Sequence, residues 1–232
     1  EKFIYKKDKK RIKQIQTFQL SFEQFSYLSK YAKKKKLIFI STPFDIESAN
    51  FLNKIQNIFK VSSGDNNFYP LLSTIAHFNK TIILSTGLMK LSEIKKTVSF
   101  INKIWKKIKK NKKKLILLHC VSSYPVESKD ANIKSISYLK DKLKNNIIGY
   151  SDHTIGNSAA VGAVYLGAKV IEKHFTLNNN YSSFRDHKLS LNPKNMKKLV
   201  DEIRKAEELL GEYKKKPNKT EEKNIDSMRR SI

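Results

Sequence analysis

Three things are scarce in this chain, and each shortage removes a class of explanation. One cysteine, Cys120, occurs in 232 residues, so no internal disulfide can form. A chain of that length can instead bury one large core, and no obvious break divides it in two. Cys120 continues the apolar run Leu115 to Leu118, the setting of a buried free thiol rather than of a reactive nucleophile. No apolar stretch reaches 18 residues and no signal-peptide pattern opens the chain. The expectation is a soluble, cytoplasmic protein with no membrane partner.

The third shortage is of acid. Against 47 Lys+Arg stand 21 Asp+Glu, a formal charge of +26, which on its own suggests nucleic acid. The surplus is nearly all lysine, however, and much of it falls in Lys33 to Lys36, Lys106 to Lys114 and Lys214 to Lys216. Those are predicted helix ends and loops, and they lack the interleaved aromatics on which bases stack. A lysine and asparagine bias over any solvated surface gives the same pattern. Nucleic-acid binding is therefore a competing reading and not the leading one, while the field would draw in anionic small substrates such as phosphates.

What is present is a rhythm of short apolar runs, each stopping at polar residues and followed by helical periodicity. Residues 1 to 16 are basic and polar without a clear element, and Gln14 to Phe18 reads as the tail of a strand. Phe22 to Ala32 is an amphipathic helix with Ser21 as N-cap. Strand runs follow at Leu37 to Ile40, Phe59 to Val61, Thr81 to Leu84, Leu115 to Val121, from Ile147, and Ala168 to Ile171. Helices are expected at 46–58, 67–78, 91–109, 130–143 and within 157–167, with a closing helix after Asn192-Pro193. From Gly211 the chain is polar and reads as an exit linker, giving a division into a catalytic part at 1–212 and a linker at 213–232.

The count is six strands alternating with helices, all parallel by the crossover rule. The strands end in Thr42, Ser63 and Asp65, Ser85 and Thr86, Ser122 and Tyr124, Ser151 and His153, and His174. Polar chemistry at the carboxyl end of every strand is how a (β/α)8 TIM-type barrel presents a site, although about six units are two short of closure. A doubly wound sheet is the alternative, with ligands at a switch point.

His153 and His174 lie 21 residues apart at the ends of two strands of one βαβ unit, so they emerge at the same end of the sheet. Neutral imidazoles so placed can share a metal ion, or can simply be hydrogen-bonded at a sheet edge. Thr42, Ser63, Ser85, Ser122 and Ser151 converge on the same mouth, with Lys60 inside one strand and Gly64 and Gly87 allowing close backbone approach. Such a ring suits a phosphate dianion, although each serine taken alone is better explained by turn capping. Asp65 adds a carboxylate able to serve as a general base. A phosphate site beside a metal that polarises a carbonyl points to carbon–carbon bond chemistry on a phosphorylated small molecule.

Longer stretches carry a resemblance. Ser41-Thr42-Pro43-Phe44-Asp45, Lys60 through Asp65, Asn67 with Tyr69-Pro70-Leu71-Leu72, and Ile83 through Met89 resemble the sialic acid synthase family. So do Leu118-His119-Cys120 with Tyr124-Pro125, Gly149 through Gly156, Glu172 through Thr176, Asp186 through Ser190 and the final Arg229-Arg230-Ser231-Ile232, in collinear order. That family condenses phosphoenolpyruvate with an N-acylated amino sugar, N-acetylmannosamine or a diacetamido hexose, giving a nonulosonic acid and phosphate. The resemblance implies that His153 and His174 bind a divalent metal (Mn2+ or Mg2+) that polarises the sugar aldehyde. It implies that Lys60, Ser63, Ser85 and Ser151 hold phosphoenolpyruvate with Thr42 and Ser122 nearby, that Asp65 is the acid/base, and that Tyr124 and Asp186 contact the sugar.

Departures from the family pattern bear on the sugar. Asp65 points weakly to the legionaminate-like branch, and Ser122 stands where N-acetylneuraminate synthases tend to carry asparagine. The loop Ser182-Ser183-Phe184-Arg185 replaces a Pro-Gly-Pro-like turn, which makes Arg185 a residue that alters sugar selection. Family members also have two earlier strands and a C-terminal antifreeze-like domain that swaps within a homodimer. The chain is accordingly expected to be the central part of a longer product. Competing readings are another metal-dependent barrel aldolase or phosphosugar synthase, a basic nucleic-acid module, or a non-catalytic remnant.

Overall fold

The computed structural model describes residues 9–108, 114–182 and 186–230. Part of the 106–114 lysine run, Ser183 to Arg185 and Ser231-Ile232 lie outside them. Five strands form one sheet: β1 (Ile58–Val61), β2 (Thr81–Ser85), β3 (Leu115–Cys120), β4 (Ile147–Asp152) and β5 (Ile171–Lys173). Their spatial order is their sequence order, and every pair is parallel. An order that never reverses has no switch point, which removes the doubly wound alternative. Crossovers of one hand then put the connecting helices on one side, and the sheet is an open half-barrel.

The helices are α1 (Lys9–Gln16), α2 (Phe22–Lys34), α3 (Ile46–Leu52), α4 (Tyr69–His77), α5 (Leu91–Ile108), α6 (Ser135–Lys142), α7 (Ser158–Tyr165), α8 (Asp186–Leu189), α9 (Pro193–Leu210), α10 (Lys219–Glu222) and α11 (Ile225–Met228). Capping sets several starts. Ser21 and Gln24 form a reciprocal capping box at α2, and Asn192 accepts from the Asn195 amide with Pro193 at the first position of α9. In α5 the buried residues Ile94, Thr97, Val98 and Ile101 follow helical spacing.

Alternation along the strands separates core from site. Phe59, Val61, Ile82, Leu84, Leu115, Leu117, Ile148 and Tyr150 are buried in one apolar cluster with Leu71, Leu72 and Ile75 of α4, Ile101 of α5 and Ile136 of α6. The residues between them, Lys60, Ile83, Ser85, Leu118, Cys120, Ser151 and Glu172, share the opposite face through the register Lys60↔Ile83, Ser85↔Leu118 and Cys120↔Ser151↔Glu172. A second cluster of Ala160, Leu191 and Leu199 seats α9 on α7.

Two expected strands are absent. Leu37 to Ile40 makes no ladder, and Leu37 and Ile38 are 66% and 74% exposed. A strand needs a neighbour, and this segment is tethered instead through one side chain: Gln56 accepts from the Ser41 amide at 2.8 Å and donates to the Ser41 carbonyl at 3.0 Å. Gln14 to Phe18 is not a strand tail, because α1 runs to Gln16 and the Thr17 amide still bonds the Lys13 carbonyl. Unbranched Lys and Gln side chains favour helix there. The helix expected over 46–58 stops at Leu52, and the stretch from Gly211 holds the short helices α10 and α11. No helix of the described residues is long and apolar enough to cross a membrane.

Leu117 is fully buried at the centre of the sheet. Leu117→Ala is expected to lower unfolding free energy by about 2–5 kcal/mol, measured as a fall in the urea midpoint at constant slope.

Candidate active site

The inner face brings a continuous row of polar groups to the carboxyl end of the sheet. The Lys60 ammonium donates to Ser85 Oγ at 2.7 Å and pairs with Glu172 Oε2 at 3.4 Å. The other oxygen of Glu172 accepts from Ser151 Oγ at 2.7 Å, and Ser151 Oγ lies 3.3 Å from His153 Nε2. The rings of His153 and His174 are perpendicular, with centroids 5.4 Å apart. Tyr124 packs against both, at 4.2 Å from His153 and 5.9 Å from His174. Residues from β1, β2, β4, β5 and the loop after β3 thus meet in one line.

A second group adjoins it across β3. Ser63 Oγ is 3.2 Å from the buried Cys120 thiol. A Cβ on Gly87 would sit 2.6 Å from both Ser63 Oγ and Ser122 Oγ. A side chain there would make both hydroxyls turn away, so glycine lets the backbone after β2 approach them in place. The floor is closed by Leu118, which is fully buried, and by Gly149, where a Cβ would meet the Val170 carbonyl at 2.5 Å.

His153 is buried, and the bond between its Nδ1 and the Val121 carbonyl is 2.8 Å long. A carbonyl only accepts, so Nδ1 carries the proton and Nε2 keeps its lone pair. Desolvation holds this imidazole below its ordinary range, the Val121 bond opposing in part. A neutral ring whose Nε2 lone pair lies beside Ser151 Oγ at the site, with Nδ1 held by a backbone oxygen, suits a metal ligand. The described residues contain no group of three or more His, Cys, Asp or Glu able to hold a metal. The two facing imidazoles are a donor set that suits a cation held by two protein nitrogens, with its other positions left to substrate or water.

The remaining expected residues lie on the flanking loops. Thr42 is half-buried after the tethered Ser41. Asp65 accepts from Ser62 Oγ at 2.5 Å within its own loop after β1. Asp186 opens α8, its carbonyl accepting from the Ser190 amide and hydroxyl, and Arg185 lies outside the described residues. Glu172, absent from the expected set, is the residue that joins Lys60 to Ser151. Its signal was weak but present: a carboxylate two residues before His174 falls on the same strand face as the histidine.

Fold and site together define a half-barrel α/β protein of the TIM type with a hydroxyl-rich and imidazole-bearing site, built around a Lys60–Glu172 ion pair, at its strand ends. Comparison narrows the class. The model of the NeuB family matches residues 1–215, and the chain belongs to that family. It is 41% identical over 226 residues to the N,N'-diacetyllegionaminic acid synthase of Campylobacter jejuni, covering 97% of this chain and 66% of that protein. The chain thus spans about two thirds of that relative's length. A crystal structure of the N-acetylneuraminic acid synthetase of Leptospira borgpetersenii superposes with a TM-score of 0.87 at 34% identity, covering 96% of this chain and 75% of that one. The phospho-2-dehydro-3-deoxyheptonate aldolase of Thermotoga maritima shares the fold, with a TM-score of 0.68 at 19% identity over 84% of this chain and 58% of that one.

Burial also lowers the pKa of His119, its bond to the Ala131 carbonyl opposing. For both histidines the folded state disfavours the proton, so below the ordinary value of 6.5 the unfolded chain binds more protons. Their stabilisation is complete above that value and is lost as pH falls through the depressed folded values. Thermal unfolding in chelator is expected to shift to lower temperature between about pH 7 and pH 5, with a smaller shift in His119→Asn. A midpoint rising on acidification would contradict the assignment.

Proposed function

We propose that the chain is the barrel part of a transferase that condenses phosphoenolpyruvate with an N-acylated amino sugar and releases phosphate, forming a nonulosonic acid. The observation that carries this reading is the placement of Lys60, Ser85 and Ser151 on the same strand face as the histidine pair. A fixed ammonium and aligned hydroxyls suit a phosphate or carboxylate, and the imidazoles suit a carbonyl-polarising centre. The Campylobacter relative favours a diacetamido hexose of the legionaminate type over N-acetylmannosamine.

In this reading Glu172 orients two donors at once, holding the Lys60 ammonium with one oxygen and the Ser151 hydroxyl with the other. Ser63 and Ser122 donate from beside Gly87, with Thr42 assigned to the same ligand. His153, through Nε2, and His174 hold Mn2+ or Mg2+, which when bound supplies Lewis-acid polarisation of the sugar aldehyde. Tyr124 offers a ring face to the sugar, Asp186 contacts it, and Asp65 moves the proton as acid/base. The whole protein is proposed to act as a homodimer.

The test is phosphate release from phosphoenolpyruvate with N-acetylmannosamine and, separately, with diacetamido sugars. It is run on this chain and on one extended to the length of its relatives, with Mn2+ or with chelator. Release is expected to need sugar and metal, and to vanish in His153→Ala and in His174→Ala. Gly87→Ala is expected to raise the KM for phosphoenolpyruvate by on the order of tenfold or more, the loss of a hydrogen bond to a charged group. No release from a folded, extended chain with any of these sugars would overturn the reading.

A further inference from the structure

Beneath the histidine pair, on the helix-facing side of the sheet, lies an ion pair cut off from solvent. The Lys173 ammonium is 2.8 Å from Asp152 Oδ2, with side-chain exposures of 2% and 0%. Every other polar contact of the two closes on the same spot. Asp152 Oδ1 accepts from the Thr154 amide, the Thr154 hydroxyl and the Tyr150 hydroxyl, at 2.8, 2.7 and 3.3 Å, and Lys173 also donates to the Thr154 carbonyl. Asp152 and Lys173 are direct partners in the β4–β5 register, and they form its last rung. The next residue on each strand is a histidine of the site.

The geometry points to Asp152 and Lys173 as the positioning residues that set the spacing and orientation of His153 and His174. β5 has only three residues, and on its outer side only the single Phe175↔Leu191 bridge follows, with the Leu191 amide bonding the His174 carbonyl at 2.8 Å, so backbone bonds alone hold its end weakly. A buried ion pair is a poor source of net stability, since apolar residues of similar volume often serve as well. What it adds is direction. Partly satisfied charges in low dielectric are costly, so the two strand ends are confined to the arrangement in which the ammonium meets Asp152 and Thr154 and the carboxylate meets its own donors. Thr154 extends that confinement past His153, whose own backbone carbonyl is taken by the Val126 amide at 2.9 Å. The contribution of this pair is thus expressed one residue further on, in the imidazole pair. The inference rests on the proposed joint action of the two histidines on a divalent cation.

Removing one partner alone would strand a buried charge and unfold the region, so the test uses the double variant Asp152→Asn/Lys173→Met. Asparagine keeps an acceptor for Thr154 and methionine keeps the volume. Leu139→Ala, a buried residue of α6, serves as a control of comparable thermal destabilisation that removes no hydrogen-bond partner of the pair. Two readouts are taken on the full chain: Mn2+ affinity by electron paramagnetic resonance titration, and ring-to-ring nuclear Overhauser effects between His153 and His174 in metal-free protein. The double variant is expected to lose the inter-ring effect and to bind Mn2+ on the order of tenfold or more weakly, while Leu139→Ala keeps both. An inter-ring effect unchanged in the double variant, or lost equally in Leu139→Ala, overturns the inference. Absence of Mn2+ binding in the unmodified chain would refute the metal reading of the site, and the metal-free measurement would still decide the positioning role.

Discussion

Strand register is the constraint on which the rest of the structure depends. In a parallel half-barrel covered by helices on one side, each strand must send alternate residues into apolar packing and the others toward the opposite face. The ladders Lys60↔Ile83, Ser85↔Leu118 and Cys120↔Ser151↔Glu172 satisfy this for five strands together. A slip of one residue in β4 would exchange Ser151 with Tyr150 or Asp152, driving a hydroxyl into the core cluster and a charge or phenol into the site. Apolar burial on one face therefore specifies polar alignment on the other, with no direct interaction between them.

That dependence explains how a chain with so large a cationic excess builds a local site of balanced charge. Surface lysines stand in water, where their interactions are screened. Lys60 does not: its side chain is only 12% exposed, and Glu172 stands beside it. Ser85 and Ser151 flank the pair as neutral groups, so its charges are steered rather than cancelled. The layer below is apolar and closed, because Gly149 leaves room for no side chain between Leu118 and Val170. Electrostatic interactions above such a floor are stronger than the same contacts at the surface.

Much of this was legible in the sequence, and what was not has physical reasons. Four of the six apolar runs are strands, a fifth, Ala168 to Ile171, bonds β4 but leads into β5 only at Ile171, and His153 and His174 meet at the ends of neighbouring strands. Leu37 to Ile40 misled because an apolar run reads the same with or without a partner strand, and pairing is a long-range property. Glu172 was passed over for the same reason: its meaning depends on lying opposite Ser151 and near Lys60, more than 100 residues away in the chain. Asp152 and Lys173 read as ordinary polar residues in a motif, since one-dimensional spacing cannot tell a charge facing the site from one facing the core. Residues 9–16 hid a helix because a lysine-rich run whose only apolar residues are Ile12 and Ile15 reads as solvated chain, although its residue types are helix formers.

Under the proposed metal reading, His153 sets function and stability against each other within one residue. A ligand imidazole must be neutral with a defined tautomer. Burial supplies the first condition by penalising the cation, and the Val121 carbonyl supplies the second by fixing the proton on Nδ1. These two effects oppose one another in pKa, since a carbonyl acceptor also favours the protonated ring. Burial prevails here, which keeps the ring neutral through the physiological range but makes the folded state lose stability on acidification. Exposing His153 would relieve that sensitivity and would also surrender the tautomer, because the Val121 bond exists only where the ring is packed beneath Tyr124. Acid sensitivity in this fold is therefore the thermodynamic counterpart of holding an imidazole ready to donate its lone pair.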